Sequence, residues 1–311
     1  MLKKIYYITA VFATLFLVGC GDGIDLPGVN VETDLNKIPL PDNNVNLEQV
    51  ELKPSTEPML HEGLHTEEDF QRIRDKKAAG EEPWVSAYQL LVESQFSQKT
   101  ADTYPTEWIK RGISGDENYM NAARGATIVY QQALRWKIEQ DDEYAAKAVE
   151  NLNKWVQTCV GVTGNTNLSL AAGLYGYEFA IAGELLRDYG GWDRADFAAF
   201  QNWLLKVFYP ANDDFLKRHH DTNALHYWAN WCLCNIAAKM AIGIVTDRRD
   251  IYNEGIAHLQ TGDTNGRLRR AIYHDYAPDY NFAQWQESGR DQGHTLMCVG
   301  LMGIICQLAW S

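Results

Sequence analysis

The sequence is short of positive charge: 28 Lys and Arg stand against 41 Asp and Glu, a formal net charge of -13. No broad phosphate-neutralising surface can be assembled from that balance, which excludes general nucleic-acid binding. Cysteine is sparse as well. Apart from Cys20 there remain Cys159, Cys232, Cys234, Cys298 and Cys306, an odd set lying in apolar, helix-patterned stretches. They cannot all be paired, and the reading that follows is buried small side chains rather than a disulfide framework. A metal site on Cys232 and Cys234 is disfavoured by spacing, because residues two apart on a helix do not face each other. Alternating apolar and polar runs are scarce after Thr66, which argues against a mainly β fold.

What is present begins with an N-terminal address. Lys3 and Lys4 precede an apolar stretch from Ile8 to Val18, followed by Leu17-Val18-Gly19-Cys20. The stretch is shorter than the roughly 20 residues that span a bilayer, and the layout is that of a secretory signal, residues 1–19, with Cys20 placed for lipid modification. The expected location is the periplasm, outer membrane or cell surface, held by a lipid anchor. Residues 20–58, rich in Asp, Asn, Pro and Val, lack helical periodicity and read as a flexible tether. Removal of Lys3 and Lys4 with the signal takes the formal charge from -13 to -15. A polyanionic ligand would then require positive charge gathered in one groove, and Arg267, Arg269 and Arg270 form the densest basic cluster.

Residues 59–311 form the expected folded domain. Apolar positions recur there at three-to-four spacing, predicting helices from Thr66, from Pro83-Trp84, over about 118–139, 143–160, 168–188, 194–208, 223–246, 250–259 and 293–310. Breaks fall at Gly164-Asn165, Gly190-Gly191 and Gly262-Asp263. Helices joined by short turns in up-and-down order predict an all-α fold of antiparallel helical hairpins, of the kind that closes into an α/α toroid. The last apolar helix runs to Trp310 with no Gly or Asn stop and no polar tail, so the expectation is a C-terminally truncated chain and an incomplete α/α barrel. Ten Trp and 16 Tyr are either packing between helices or stacking surfaces for sugar rings. They are dense from Trp228 to Trp285, through Trp231, Tyr273, Tyr276 and Tyr280.

His61-Glu62-Gly63-Leu64-His65 matches the H-E-x-x-H pattern of zinc proteases, which needs both histidines on one helical face. Here it follows Pro58, contains Gly63 and has no third ligand in a recognisable second motif, so no metal site is assigned to it.

The densest polar run is Gln284-Trp285-Gln286-Glu287-Ser288-Gly289-Arg290-Asp291-Gln292-Gly293-His294-Thr295, leading into an apolar helix. So many donors and acceptors there make either a polar network closing the fold or a binding surface. The run resembles the E-S-G-R-D-Q-x-H signature of the alginate lyase family of helical polysaccharide lyases. Leu64 to Asp69, Gly80 to Trp84, Tyr144 to Trp155, Tyr227 to Trp231 and Ala241 to Ile244 resemble further stretches of that family in the same order, covering the chain from about Leu60 onward. The resemblance implies β-elimination on a uronic-acid polysaccharide of alginate or glucuronan type. A base takes the C5 proton, a donor neutralises the carboxylate, and an acid protonates the departing O4 to leave a 4,5-unsaturated uronate end. No metal or redox cofactor is called for.

On this resemblance His226, Tyr273, Asn167 and Arg290 are the catalytic candidates, and Asn223, Trp228, Arg267, Tyr276, Trp285, Glu287 and His294 the substrate-binding ones. Asn223 to Trp228 differs from the family's adjacent Asn-His before Tyr-Trp by a displacement of one residue. Asn167 is either the neutraliser or a helix cap. Tyr273 follows an Arg-rich stretch whose charge would lower a phenol's pKa and help it act as a base, or else that stretch is a solvated face. Arg290 and His294, read as one helical turn apart, are either carboxylate contacts or structural partners of Glu287 and Asp291. The rival functions are a non-catalytic glycan-binding lipoprotein and a hydrolase needing paired carboxylates, for which Asp213, Asp214 and Glu287 are available. A protein partner cannot be inferred.

Overall fold

The computed structural model describes residues 52–59, 63–276 and 283–310. The signal, Cys20, most of the tether, His61 and Glu62 of the H-E-x-x-H run, and Tyr280 lie outside them. The chain is all-α. The helices are α1 (Glu67–Ala78), α2 (Trp84–Glu93), α3 (Tyr119–Glu139), α4 (Asp142–Thr158), α5 (Leu168–Leu185), α6 (Arg194–Val207), α7 (Tyr209–Arg218), α8 (Ala229–Val245), α9 (Arg249–Thr261), α10 (Leu268–Ala271) and α11 (Gln292–Trp310). Short strands β1 (Trp108–Arg111) and β2 (Gly161–Gly164) pair in parallel, and β3 (Ile272–Asp275) and β4 (Ala283–Trp285) pair antiparallel.

Local chemistry sets several boundaries. Thr66 and Asp69 form a reciprocal capping box at the start of α1, as their spacing predicts. The amphipathic α4 buries Tyr144, Ala145, Ala148, Val149, Leu152 and Trp155 at helical spacing, and Asp141 caps it. In contrast α5 and α8 are apolar nearly all round and are buried nearly throughout, which makes them the centre of the core. They approach closely because position 173 is glycine: a Cβ there would lie 2.5 Å from Cys234 Sγ and 3.0 Å from the Cys234 carbonyl carbon.

Named contacts give the helix directions. Asn235 Nδ2 donates to Ser169 O near the start of α5, and Arg187 donates to Val245 O beyond its end, so α5 and α8 run parallel. Arg111, opposite Gly164 just before α5, lies over Tyr119 at the start of α3, while Thr127 and Tyr130 further along α3 line one cleft with Tyr177 and Ile181 of α5, so these two helices also run in the same sense. Glu287, just before α11, meets the first turn of α8, while Leu308 near the α11 end accepts from Tyr252 on α9. Thus α3, α5, α8 and α11 pack side by side in chain order, all starting at one end. The loops that lead back to that end are β1, β2, residues 219–228 and β3–β4, while α3–α4 and α8–α9 are antiparallel hairpins.

Four expectations change. The helix expected from residue 223 starts at Ala229: Asn223 accepts from Leu225 N through its side chain and from His226 N through its carbonyl, an Asx turn that holds the chain out of the helix. A separate helix, α7, follows α6 because the backbone bends at Phe208, with Pro210 suited to the new first turn. The four short strands were unpredicted, since three or four residues are too few for an alternation to register. Residues 53–58, expected to be tether, lie against α9, where Arg249 Nε donates to Glu57 O at 2.7 Å and Asn253 Nδ2 to Lys53 O at 2.8 Å. The apolar helix α11 is the one described helix long and apolar enough to cross a membrane; Cys298, Leu301, Met302, Ile304, Ile305 and Leu308 are buried.

Candidate active site

At the end where the four inner helices start, the chain before α8 is strained. His219, His220 and Asp221 have φ of 48°, 51° and 58°, consecutive left-handed conformations that non-glycine residues avoid at a cost of about 1–3 kcal/mol each. Thr222 clamps the turn, its amide and hydroxyl both donating to His219 O at 3.1 and 2.6 Å. The result is that His220 Nε2 reaches Ser169 Oγ at 3.0 Å, joining this turn to the first turn of α5. His219 points inward, and burial with the neighbouring His220 lowers its pKa below 6.5. His220 was not singled out from sequence; the only signal was a His-His pair next to the Asn223–Trp228 run.

His226 lies exposed a few residues on, its ring edge-on to Tyr227 at 4.9 Å, and Tyr227 in turn lies 5.8 Å from His220. The buried Asn265 holds this segment, donating to Leu225 O at 3.0 Å and Tyr227 O at 2.8 Å. Trp228 caps α8 by backbone alone and is 47% exposed. Asn223 is spent on its own turn.

Glu287 is fully buried and acts as a cap from outside the helix: its Oε1 accepts from Asn230 N at 3.0 Å and from Cys298 Sγ at 3.1 Å, while Gln286 Oε1 accepts from Ala229 N at 2.8 Å. Arg290 balances the buried carboxylate at 3.1 Å, and His294 Nδ1 pairs with Asp291 at 2.6 Å. Arg290 lies in the turn before α11 and His294 within it, so the expected one-turn helical relation is corrected. The polar run is in large part the network that anchors α8 and α11 to each other.

Tyr273 sits where the β3–β4 register slips, between Ile272 and His274, and is 69% exposed. A bulge of this kind re-aims a side chain away from the ladder. Tyr276 donates to Gln284 Oε1 at 3.2 Å, and Trp285 is half-buried against the core. Arg267 and Arg270 turn back onto the carbonyls of Gln260 and Asp263 at the end of α9, a favourable place for cations. Asn167 is the N-cap residue of α5, yet its side chain makes no capping bond; its Nδ2 donates to Asn165 Oδ1 at 2.9 Å. Of the other aromatic residues, Tyr175, Tyr177 and Trp192 are buried in packing.

Asn167, His220, His226 and Trp228 therefore share the end where α5 and α8 begin, and β3–β4 brings Tyr273 to the polar run that caps α8. The hydrolase carboxylates are committed elsewhere: Asp213 pairs with Lys239 and Lys217, Asp214 with Arg218, and Glu287 is buried. Among the described residues no cluster of His, Cys, Asp and Glu is placed to hold a metal ion.

The alginate lyase family model matches residues 73–280, and the chain belongs to the alginate lyase family. The matched span contains Asn167, His220, His226, Trp228 and Tyr273; it ends before the Gln284–Thr295 run that first suggested the resemblance. No curated protein and no solved structure matches the chain.

Proposed function

We propose that this polysaccharide lyase cleaves a uronic-acid polymer of alginate or glucuronan type by β-elimination. The observation that carries this reading is the gathering, at the common starting end of the inner helices, of the imidazoles of His220 and His226, the amide of Asn167 and, on the adjoining hairpin, an exposed phenol at the Tyr273 bulge. Tyr273 removes the C5 proton or delivers one to O4, and Asn167 and the histidines stabilise charge on the substrate carboxylate. The C5–H electrons become the C4–C5 double bond, the C4–O4 bond breaks, and the leaving oxygen takes a proton. Arg290, tied to Glu287, supports this surface from behind rather than acting on the sugar. The same reading makes the helical arc part of an α/α toroid and places the protein at the cell envelope on a lipid anchor at Cys20.

The test is ultraviolet absorbance of the unsaturated uronate product on alginate and on glucuronan, for the full chain and for Tyr273→Phe. A rising signal that is lost in Tyr273→Phe is the expected result. Binding of these polymers without any absorbance change would replace the lyase reading with a non-catalytic glycan-binding one.

A further inference from the structure

Arg111 closes β1 opposite Gly164 of β2, and its backbone has little room to move: a Cβ on Gly164 would lie 1.7 Å from Arg111 O, and one on Gly112 would lie 1.9 Å from Asn165 Oδ1. Its guanidinium lies over the ring of Tyr119, the first residue of α3, at 4.7 Å. Its partner Gly164 lies just before α5, which begins at Leu168, so Arg111 sits between the starts of α3 and α5. Yet Nη1 is buried with no hydrogen-bond partner among the described residues. Of the four such side-chain atoms, on Arg111, Gln131, Asn253 and Trp285, it is the only one on a charged group.

That isolation is unusual in a chain with 41 carboxylates. The other shielded arginines are engaged: Arg135 with Glu139, Arg187 with Glu184, Arg249 with the carbonyls of Glu57 and Pro58. A buried cationic N–H without an acceptor costs free energy, and such groups call for a partner supplied from outside. The nearby carboxylates of Asp116 and Glu117 are engaged by Lys110 Nζ and Gly112 N, and the adjoining helix starts favour an anion. The helices on either side, α3 and α5, have no side-chain cap and no acidic residue in the first turn. Asn118, the N-cap residue of α3, instead accepts from Lys110 N and donates to Trp108 O, clamping β1. Burial raises the pKa of Tyr175, leaving its phenol a hydrogen-bond donor.

We infer that Arg111, stacked on Tyr119 between the uncapped starts of α3 and α5, is a binding residue for a carboxylate of the polymer chain. The planar guanidinium suits two parallel hydrogen bonds to a carboxylate. This inference rests on the uronate-polymer reading for its choice of ligand. It adds a subsite at the β1–α3 side of the arc, away from His226 and Tyr273.

Arg111→Gln and Arg111→Lys are compared with the wild type, with size-defined oligouronate as the probe. Binding is measured by calorimetry in the Tyr273→Phe background, which suppresses turnover, and KM and kcat in the parent. Arg111→Gln should weaken oligouronate binding and raise KM on the order of tenfold with kcat nearly unchanged. A carboxyl-reduced oligosaccharide should bind both forms equally weakly. Arg111→Lys, which keeps the charge and the fold but loses the paired geometry, should fall between. Unchanged Kd and KM in the Lys and Gln variants, with or without a lowered Tm, would make Arg111 a structural residue and overturn the inference, as would a wild type that binds no oligouronate. Oligouronate binding that depends on Arg111 without cleavage of any polymer would sustain the site while rejecting the lyase reading.

Discussion

The inner helices of this protein begin differently from the outer helices α1, α4, α6 and α9, although α2 and α7 also lack an acid in the first turn. The outer helices α4, α6 and α9 open with Asp142 and Glu143, Asp196, and Asp250, and α1 with Glu67, Glu68 and Asp69, the usual complement to a helix's positive start. The inner helices α3, α5, α8 and α11 have no acid in the first turn. The amides of α8 are met by Gln286 and Glu287, the latter countered by Arg290, and Asp291 accepts from His294 N in α11. Only α3 and α5 remain without a cap, on either side of Arg111. A chain with net charge -13 thus leaves the first turns of these four helices free of carboxylates, while Asp116, Glu117 and Asp221 sit in the loops before them and are paired there.

The largest expected break in this pattern is Glu287→Ala. It strands Asn230 N–H, Cys298 S–H and Arg290, and should lower stability by roughly 3 kcal/mol, read as a shift of the urea midpoint. A loss below about 1 kcal/mol would mean that α8 does not depend on its external cap.

A second test concerns the middle of the arc, below the proposed site. A small cleft of about 20 Å³, with room for a water molecule, is lined by Leu64, Thr127, Tyr130, Tyr177, Glu178, Ile181 and Ile304. Desolvation there pushes Glu178 up to about 8, against a weak opposing bond from Tyr177. Nearby His65, bonded to Tyr130 at 2.6 Å, is pushed down to about 4, so it carries no charge near neutrality to offset the carboxylate. The folded state holds the Glu178 proton more tightly than the unfolded chain does. Stability from this group is therefore fully present below the ordinary carboxylate value and declines as pH rises towards 8. Glu178→Gln should melt higher than wild type at pH 8 and above, with the gap closing below pH 5; an equal Tm at pH 8 would show that Glu178 ionises freely.

Gly173→Ala tests the α5–α8 contact that aligns the two helix starts. The added methyl meets Cys234 at 2.5 Å, and overpacking should outweigh the gain in helix propensity, for a net loss of about 1–2 kcal/mol by chemical denaturation. A stabilised variant would mean that the two helices can separate without penalty.

Asn165→Asp is the mildest change. The acceptor for Asn167 survives, so stability should move by less than about 0.5 kcal/mol. The new charge beside α5 should raise KM about two- to fivefold at low ionic strength and lose that effect in high salt. Asp142→Asn, at the start of an outer helix, should leave KM where it was. If both variants behaved alike, the contrast between inner and outer helix starts would have no part in substrate binding.

Much of the fold could be read before any coordinates, because helical periodicity and caps are local. Thr66 with Asp69, the buried stripe of α4 and the apolar lengths of α5 and α8 need only a few neighbouring residues to declare themselves. The candidate site was legible in part: His226, Trp228 and Tyr273 are exposed at or beside the common starting end, where the family resemblance pointed. Other roles depended on distance in sequence. Glu287 caps a helix that begins some sixty positions earlier, and Asn265 holds the turn that carries His226. Neither pairing leaves a trace in spacing. His220 escaped notice because its importance comes from a left-handed backbone and a contact with Ser169 across the fold.

The sequence by itself determined that this protein is all-α, acidic and related to alginate lyases, since composition, periodicity and a long polar run are properties of the chain alone. Only the tertiary structure decided which polar residues are sealed into the fold and which stay exposed at the end where the inner helices start. That choice turns on burial and on partners: Glu287, in the polar run, is sealed in and satisfied, whereas Nη1 of Arg111 is buried with no acceptor among the described residues.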